Sequence, residues 1–322
     1  MIVNNTPRVT DYLIAFLIIL CLNFALPRLM PGDPLLAIYG EEVLVTMTAD
    51  TKAELAERVG LTGTPGRQFL TYLGALGRGD LGYSYYHQLP VLQLVGGALP
   101  WTLLLVGSAL LISTALGFVL GLESGWKSGQ SQDKKLLTGL MFLGGLPDFF
   151  VGAILLLVFG VWLGVFPMAG AVTPYSSLTG FKLLADMAWH LVLPLASLIL
   201  VEISATYLLT RATVIGIRGR PFILTAQAKG LPENRVKYRH VGRNSLLPVV
   251  TRVGVRLGRV LGGALLVEIV FSYPGIGLLT YNGVMTRDYP LLQGIFFITT
   301  ISVMIINLVV DVVYKKIDPR VV

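Results

Sequence analysis

The chain has 322 residues, 54% of them hydrophobic and 13% charged, with a mean hydropathy of +0.73. That balance excludes an ordinary soluble domain and points to an all-α polytopic membrane protein. The net charge of +7 gathers in a few connecting segments, which reads as membrane topology and not as a nucleic-acid surface. A single cysteine, Cys21, excludes an intrachain disulfide and is expected as a small buried hydrophobe. His87, His190 and His240 are too scattered for a zinc site.

Residues 12–27 are uncharged and predict a first membrane helix, with Arg28 snorkelling at its end. No small-residue cleavage site follows, so the run is expected to stay as a helix. Pro31-Gly32-Asp33-Pro34 closes a unit of residues 1–34. Residues 35–97 are mixed and polar, and predict a small extracytoplasmic subdomain with helices near 49–59 and 69–76.

Residues 98–322 then form a five-helix core. Span two covers 98–122, with Gly117 and Gly121 in a G-x-x-x-G pair suited to packing within the chain. Span three covers 136–162 and is broken at Pro147-Asp148, and an outside loop is expected over 164–188. Span four covers 189–210, with Pro194 and Glu202 inside it. A basic segment, 211–248, separates it from span five at 249–271, and span six runs over 289–310. With both termini, the 123–135 loop and the basic segment placed inside, that side holds 15 Lys and Arg against 7 outside. The positive-inside rule therefore predicts six helices with cytoplasmic termini.

The basic segment is the organising stretch. From Arg211 to Arg243 it holds eight Lys or Arg and one acidic residue, Glu233. Such charge cannot sit in lipid, so a water-facing loop with its own short helix is expected. Ala226 and Ala228, ending at Gly230, would allow a partner to approach that backbone closely.

Span five carries two stripes. Arg252, Arg256 and Arg259 share one helical face, while Gly254, Gly258 and Gly262, followed by Gly263, lie on another and suit helix packing. Counted from Pro248, Arg259 lies roughly 16 Å along the helix, at mid-membrane depth. A cation there lines water or meets a partner. Arg256, Arg259, Glu202 and Glu268 are thus candidates either for internal pairing or for a translocation path, and Asp148 is a further intramembrane carboxylate. No nucleotide-binding G-x-x-x-x-G-K-[ST] occurs. The nearest stretch, Gly121-Leu-Glu-Ser-Gly-Trp-Lys-Ser128, is one residue short between its glycines. No hydrolase or metalloprotease pattern is present, so the chain is not read as an enzyme.

The run Thr225-Ala-Gln-Ala-Lys-Gly-Leu-Pro232, continuing through Arg239-His240 and Arg243-Asn244-Ser245-Leu246-Leu247-Pro248, resembles the coupling loop of ABC-importer permeases of type I fold. The likeness is strongest to the first permease of the dipeptide, oligopeptide and nickel group. Arg28-Leu-Met-Pro-Gly-Asp-Pro34, Gly79-Asp-Leu-Gly-Tyr-Ser84, Val267-Glu-Ile-Val-Phe-Ser-Tyr-Pro-Gly-Ile-Gly277 and Asn307-Leu-Val-Val-Asp311 extend it over nearly the whole chain. The resemblance implies a multi-pass subunit of a prokaryotic cytoplasmic membrane, paired with a sister permease. Its other partners would be two cytoplasmic ATPases and an extracytoplasmic solute-binding protein. ATP and magnesium would bind the ATPase chains, and no cofactor this one. Thr225, Ala226, Gln227, Ala228, Lys229, Gly230 and Leu231 would form the ATPase-coupling contact. The chain departs from the group at Leu224 and Gln227, where arginine is usual, and at Arg256 and Arg259, where neutral residues are usual. That departure suggests a path suited to anionic solutes. An ion-coupled carrier using Glu202, Asp148 and Glu268, or a membrane scaffold, are the competing readings.

Overall fold

The computed structural model describes residues 9–29, 46–58, 64–260 and 264–317. Among these no strand occurs, and the architecture is helical. Helix α1 spans Val9–Leu29, α2 Ala49–Arg58, α3 Pro65–Gly77 and α4 Val91–Trp126. Helix α5 covers Ser131–Gly144, and α6 covers Asp148–Leu155 and continues as a π-helical stretch, Leu156–Trp162. Helix α7 is the longest, Gly180–Arg218, and α8 is the short Pro221–Ala228. Helix α9 spans Arg243–Val260, α10 Leu265–Val270, α11 Ile276–Met285 and α12 Tyr289–Ile317.

The fold is built on α4 against α7. Gly117, Gly121 and Gly125 recur every fourth residue and face α7. A Cβ at these positions would lie 2.8 Å from the Cβ of Thr206, 2.7 Å from that of Thr210 and 2.8 Å from that of Val214. Only a hydrogen fits, so the two backbones meet along about two helical turns. The glycine pair expected to serve packing within the chain does so, and Gly125 extends it.

The bend after α5 also follows from sequence. Proline disfavours helical geometry in the residue before it, and Pro147 is itself extended at φ −64° and ψ 140°. The helix axes on either side diverge by 97°. The elbow is held on α7, where Ser204 donates to the Leu140 carbonyl at 2.6 Å.

Three described helices are long and apolar enough to cross a membrane, or four if the bent pair counts as one span. The apolar part of α1, Ile14–Leu29, is shorter. The expected six spans and cytoplasmic termini therefore exceed what length and composition show. Several boundaries also move. Helix α4 begins at Val91, ahead of the expected start of span two at residue 98. Helix α7 begins at Gly180, inside the stretch expected as a loop. The fifth span is not one continuous helix. Its second part is α10, which turns at Phe271–Gly275, with Ser272 at φ 47°, into α11. Cys21 is exposed on the outer surface of α1 and not buried. Large apolar side chains such as Leu111 and Phe142, each 69% exposed, coat the outside as a lipid-facing surface requires.

A branched side chain in the α4–α7 seam should separate the helices. Gly121→Val is expected to destabilise the protein by about 1–3 kcal/mol and to lower Tm in detergent. Gly107→Ala on the same helix, which meets nothing within 4 Å, should leave Tm unchanged.

Candidate functional site

The basic segment leaves α7 at Gly219 and enters α8 at Pro221, whose missing N–H costs nothing at a helix start. Helix α8 lies on a pedestal formed by the ends of α4 and α7. Ile223 and Ala226 point inward and pack with Leu122, Trp126, Val214, Val236 and Val241. Phe222, Leu224, Thr225, Gln227, Ala228, Lys229 and Gly230 are exposed, and Leu231 is half-buried. Of the residues expected to touch a partner, Ala226 is therefore an inward anchor. At 5% exposure it offers no outer surface. Gly230 has φ +73°, a left-handed conformation that ends the helix and favours glycine.

Polar contacts lock the pedestal. Arg218 donates to the Trp126 carbonyl at 2.6 Å, and Trp126 Nε1 donates to Glu233 Oε1 at 2.5 Å. Glu233, the one acid among the basic residues, thus ties the segment back to α4. The stretch Val236–Gly242 leads directly into α9. Within it, Lys237 Nζ lies 2.7 Å from Glu123 Oε1. Burial alone would lower the pKa of Lys237, but its hydrogen bonds with Glu123 and Tyr238 raise it above the ordinary lysine value.

Beneath these contacts, Asp133 gathers four donors. Arg211 reaches it through Nε at 2.7 Å and Nη2 at 2.8 Å, the Gly129 N–H at 2.8 Å, and the Ser124 hydroxyl closes the set. Ser124 in turn shares a hydrogen bond with Tyr207 at 2.6 Å. This knot joins α4, α5 and α7 at the end where α8 sits. Sequence reasoning passed over Asp133 and Glu123. Their signal was two acids in a connection otherwise counted only for its lysines.

At the level of the apolar helices the charged residues separate. Glu268 is wholly buried. It accepts from Thr102 Oγ1 at 2.8 Å and from the Gly277 and Leu278 N–H groups at 2.7 and 3.2 Å. Thr102 also receives the Ile276 N–H at 2.7 Å. A Cβ at Gly275 would overlap the Glu268 carboxylate. Glu268 thus pins the α10–α11 turn to α4 with its carboxylate enclosed by these donors.

Arg256 of α9 instead forms an ion pair with Glu202 of α7. Both line a cavity of about 400 Å³ with Asp148, between the α5–α6 elbow, α7 and α9. Arg256, Glu202 and Asp148 are brought together, and Glu268 is not with them. Gly254 is buried on α9, as a packing residue should be. The side chain of Arg259 and the surroundings of Gly258 lie outside the described residues, as do Gly262 and Gly263. Among the described residues no group of His, Cys, Asp and Glu could hold a metal ion.

This arrangement is that of a membrane subunit with a rigidly presented external helix. Residues 113–322 match the family described as binding-protein-dependent transport system inner membrane component, and the chain belongs to that family. It is 33% identical over 93% of its length to the oligopeptide transport system permease protein AppB of Bacillus subtilis, again over 93% of that protein. It is 32% identical to the dipeptide transport system permease protein DppB of Escherichia coli K12, covering 95% of this chain and 94% of the relative. A di/tripeptide transport system permease of Pseudomonas aeruginosa is 34% identical over 93% of both chains. The chain is an ABC-transporter permease subunit and not an enzyme.

Removing Asp133 leaves the Arg211 guanidinium without its partner. Asp133→Ala is expected to cost on the order of 3 kcal/mol, read as a lowered Tm of the purified permease. Arg211→Lys, which loses the paired two-nitrogen contact, should fall between Asp133→Ala and the unaltered protein.

Proposed function

We propose that this chain is the permease subunit of an ATP-driven importer that carries peptides, and that α8 transmits the ATPase stroke. The observation that carries this reading is the division of α8 into two faces. Its inner face is fastened to α4 and α7, while its outer face is left bare. A helix held this way moves with the two longest helices, so force applied to its outer surface reaches the membrane core. Its exposed Phe222 and Leu224, 47% and 55% exposed, supply apolar anchors, with Gln227 and Lys229 as polar contacts beside them.

The partners in this reading are a sister permease, two cytoplasmic ATPases carrying ATP and magnesium, and an extracytoplasmic solute-binding protein. The segment 211–248 then lies on the cytoplasmic side with both termini, as its charge demands. Nucleotide-driven closure of the ATPases and docking of the loaded binding protein would bias two states of one rocking assembly. Peptides take precedence over nickel or a metal chelate as the solute because the three relatives described above are peptide permeases. The ion-coupled alternative is disfavoured by the partners of its own residues, since Glu202 is paired and Glu268 is enclosed.

The test is the complete complex in proteoliposomes. Gly230→Asp, which forces a side chain onto the left-handed cap, is expected to abolish peptide-stimulated ATP hydrolysis and uptake while the permease still inserts at normal levels. Gln227→Ala should reduce both activities in proportion. Uptake that persists without ATP would overturn the reading.

A further inference from the structure

The cavity beside the elbow holds charge that the packing does not use up. The Arg256 side chain is 37% exposed and gives Glu202 one Nη1–H, while its other N–H groups meet no partner among the described residues. Asp148 Oδ1 accepts the Phe149 N–H at 2.7 Å, and Oδ2 meets no partner among the described residues. Ionised groups at this depth are costly, and those that remain mark a polar path or ligand. The cavity thus offers a free carboxylate oxygen on one wall and free guanidinium donors on another. The signs matter together. Glu202 pairs with Arg256 and also feels Arg252, on the same helix as Arg256. With Asp148 the surroundings therefore hold two cations and two carboxylates, and neither a simple anion nor a simple cation is favoured by net charge. A solute with both charges satisfies both walls. The volume of about 400 Å³ falls within the range of small-molecule pockets.

We propose that this cavity is a transit site for free, zwitterionic peptides. Asp148 accepts from the α-ammonium, Arg256 donates to the α-carboxylate, and Glu202 holds the guanidinium in place. This rests on the peptide-import reading and narrows it. Selection would be for uncapped termini, in place of the anionic preference that the arginine stripe suggested.

The test uses the full membrane complex in nanodiscs without its solute-binding protein, so that only the membrane site is read. Labelled dialanine is the probe, with N-acetyl-dialanine and dialanine amide as competitors. Saturable dialanine binding is expected, with each cap weakening competition about tenfold or more, as loss of a charged hydrogen bond does. Asp148→Asn and Arg256→Gln should each weaken binding to a similar degree, and Asp148→Glu should restore most of it. In proteoliposomes with the binding protein added, Asp148→Asn should cut dialanine uptake about tenfold while peptide-stimulated ATP hydrolysis persists, which shows that the fold is intact. If the unaltered complex imports dialanine but binding and uptake ignore both caps and both substitutions, the transit site is wrong and the importer reading stands. If the unaltered complex imports no peptide, the importer reading itself falls.

Discussion

The contact on which the rest depends is the close approach of α4 and α7. Lipid tails are as apolar as leucine, so membrane helices gain little from burial and associate through tight van der Waals contact. Gly117, Gly121 and Gly125 provide that contact by removing side chains along one face. With the two helices in register, Trp126 and Val214 stand side by side and form the surface on which Ile223 and Ala226 rest. The same register brings Ser124 and Tyr207 together and sets Arg211 opposite Asp133. The bare helix α8 is thus the outer end of a stack that begins with three missing side chains.

Charge is handled differently at the two levels of the molecule. Near α8, carboxylates serve as fasteners. Asp133, Glu123 and Glu233 each bind a neighbouring element and leave the outer face of α8 uncommitted. Within the apolar helices, Glu268 is spent entirely on backbone and hydroxyl donors that shape the α10–α11 turn. The Arg256–Glu202 pair is different in kind, because both residues line a cavity beside Asp148. A transporter needs both arrangements. Rigid joints carry force, and a few charges left short of partners give a solute something to hold.

Much of this was legible in the residues. The glycine spacing announced the helix seam, Pro147 announced the elbow, and the basic segment announced a water-facing element with a short helix ending at Gly230. What the residues could not disclose was direction. A run of small and polar residues such as Thr225 to Gly230 does not say which side is covered, and Ala226 turned out to face its own chain. The turn at Phe271–Gly275 was concealed, because a buried turn and a buried helix draw on the same residue types. The packing role of Glu268 was not legible because its donors, Thr102 and the 277–278 backbone, are remote in sequence or belong to the main chain.

By itself the sequence determined the class of protein, the approximate position of its long helices and the location of the basic segment that carries a short exposed helix. Those follow from composition, periodicity and local steric rules, which act over a few residues. Only the tertiary structure decided which charges are spent and which remain. Arg256 and Glu202 stand 54 residues apart, and Asp133 and Arg211 stand 78 apart. Nothing local distinguishes a paired charge from a free one. That distinction arises when α7 is laid against α4, α5 and α9, since an ion pair depends on distance in space and no term in the sequence measures it.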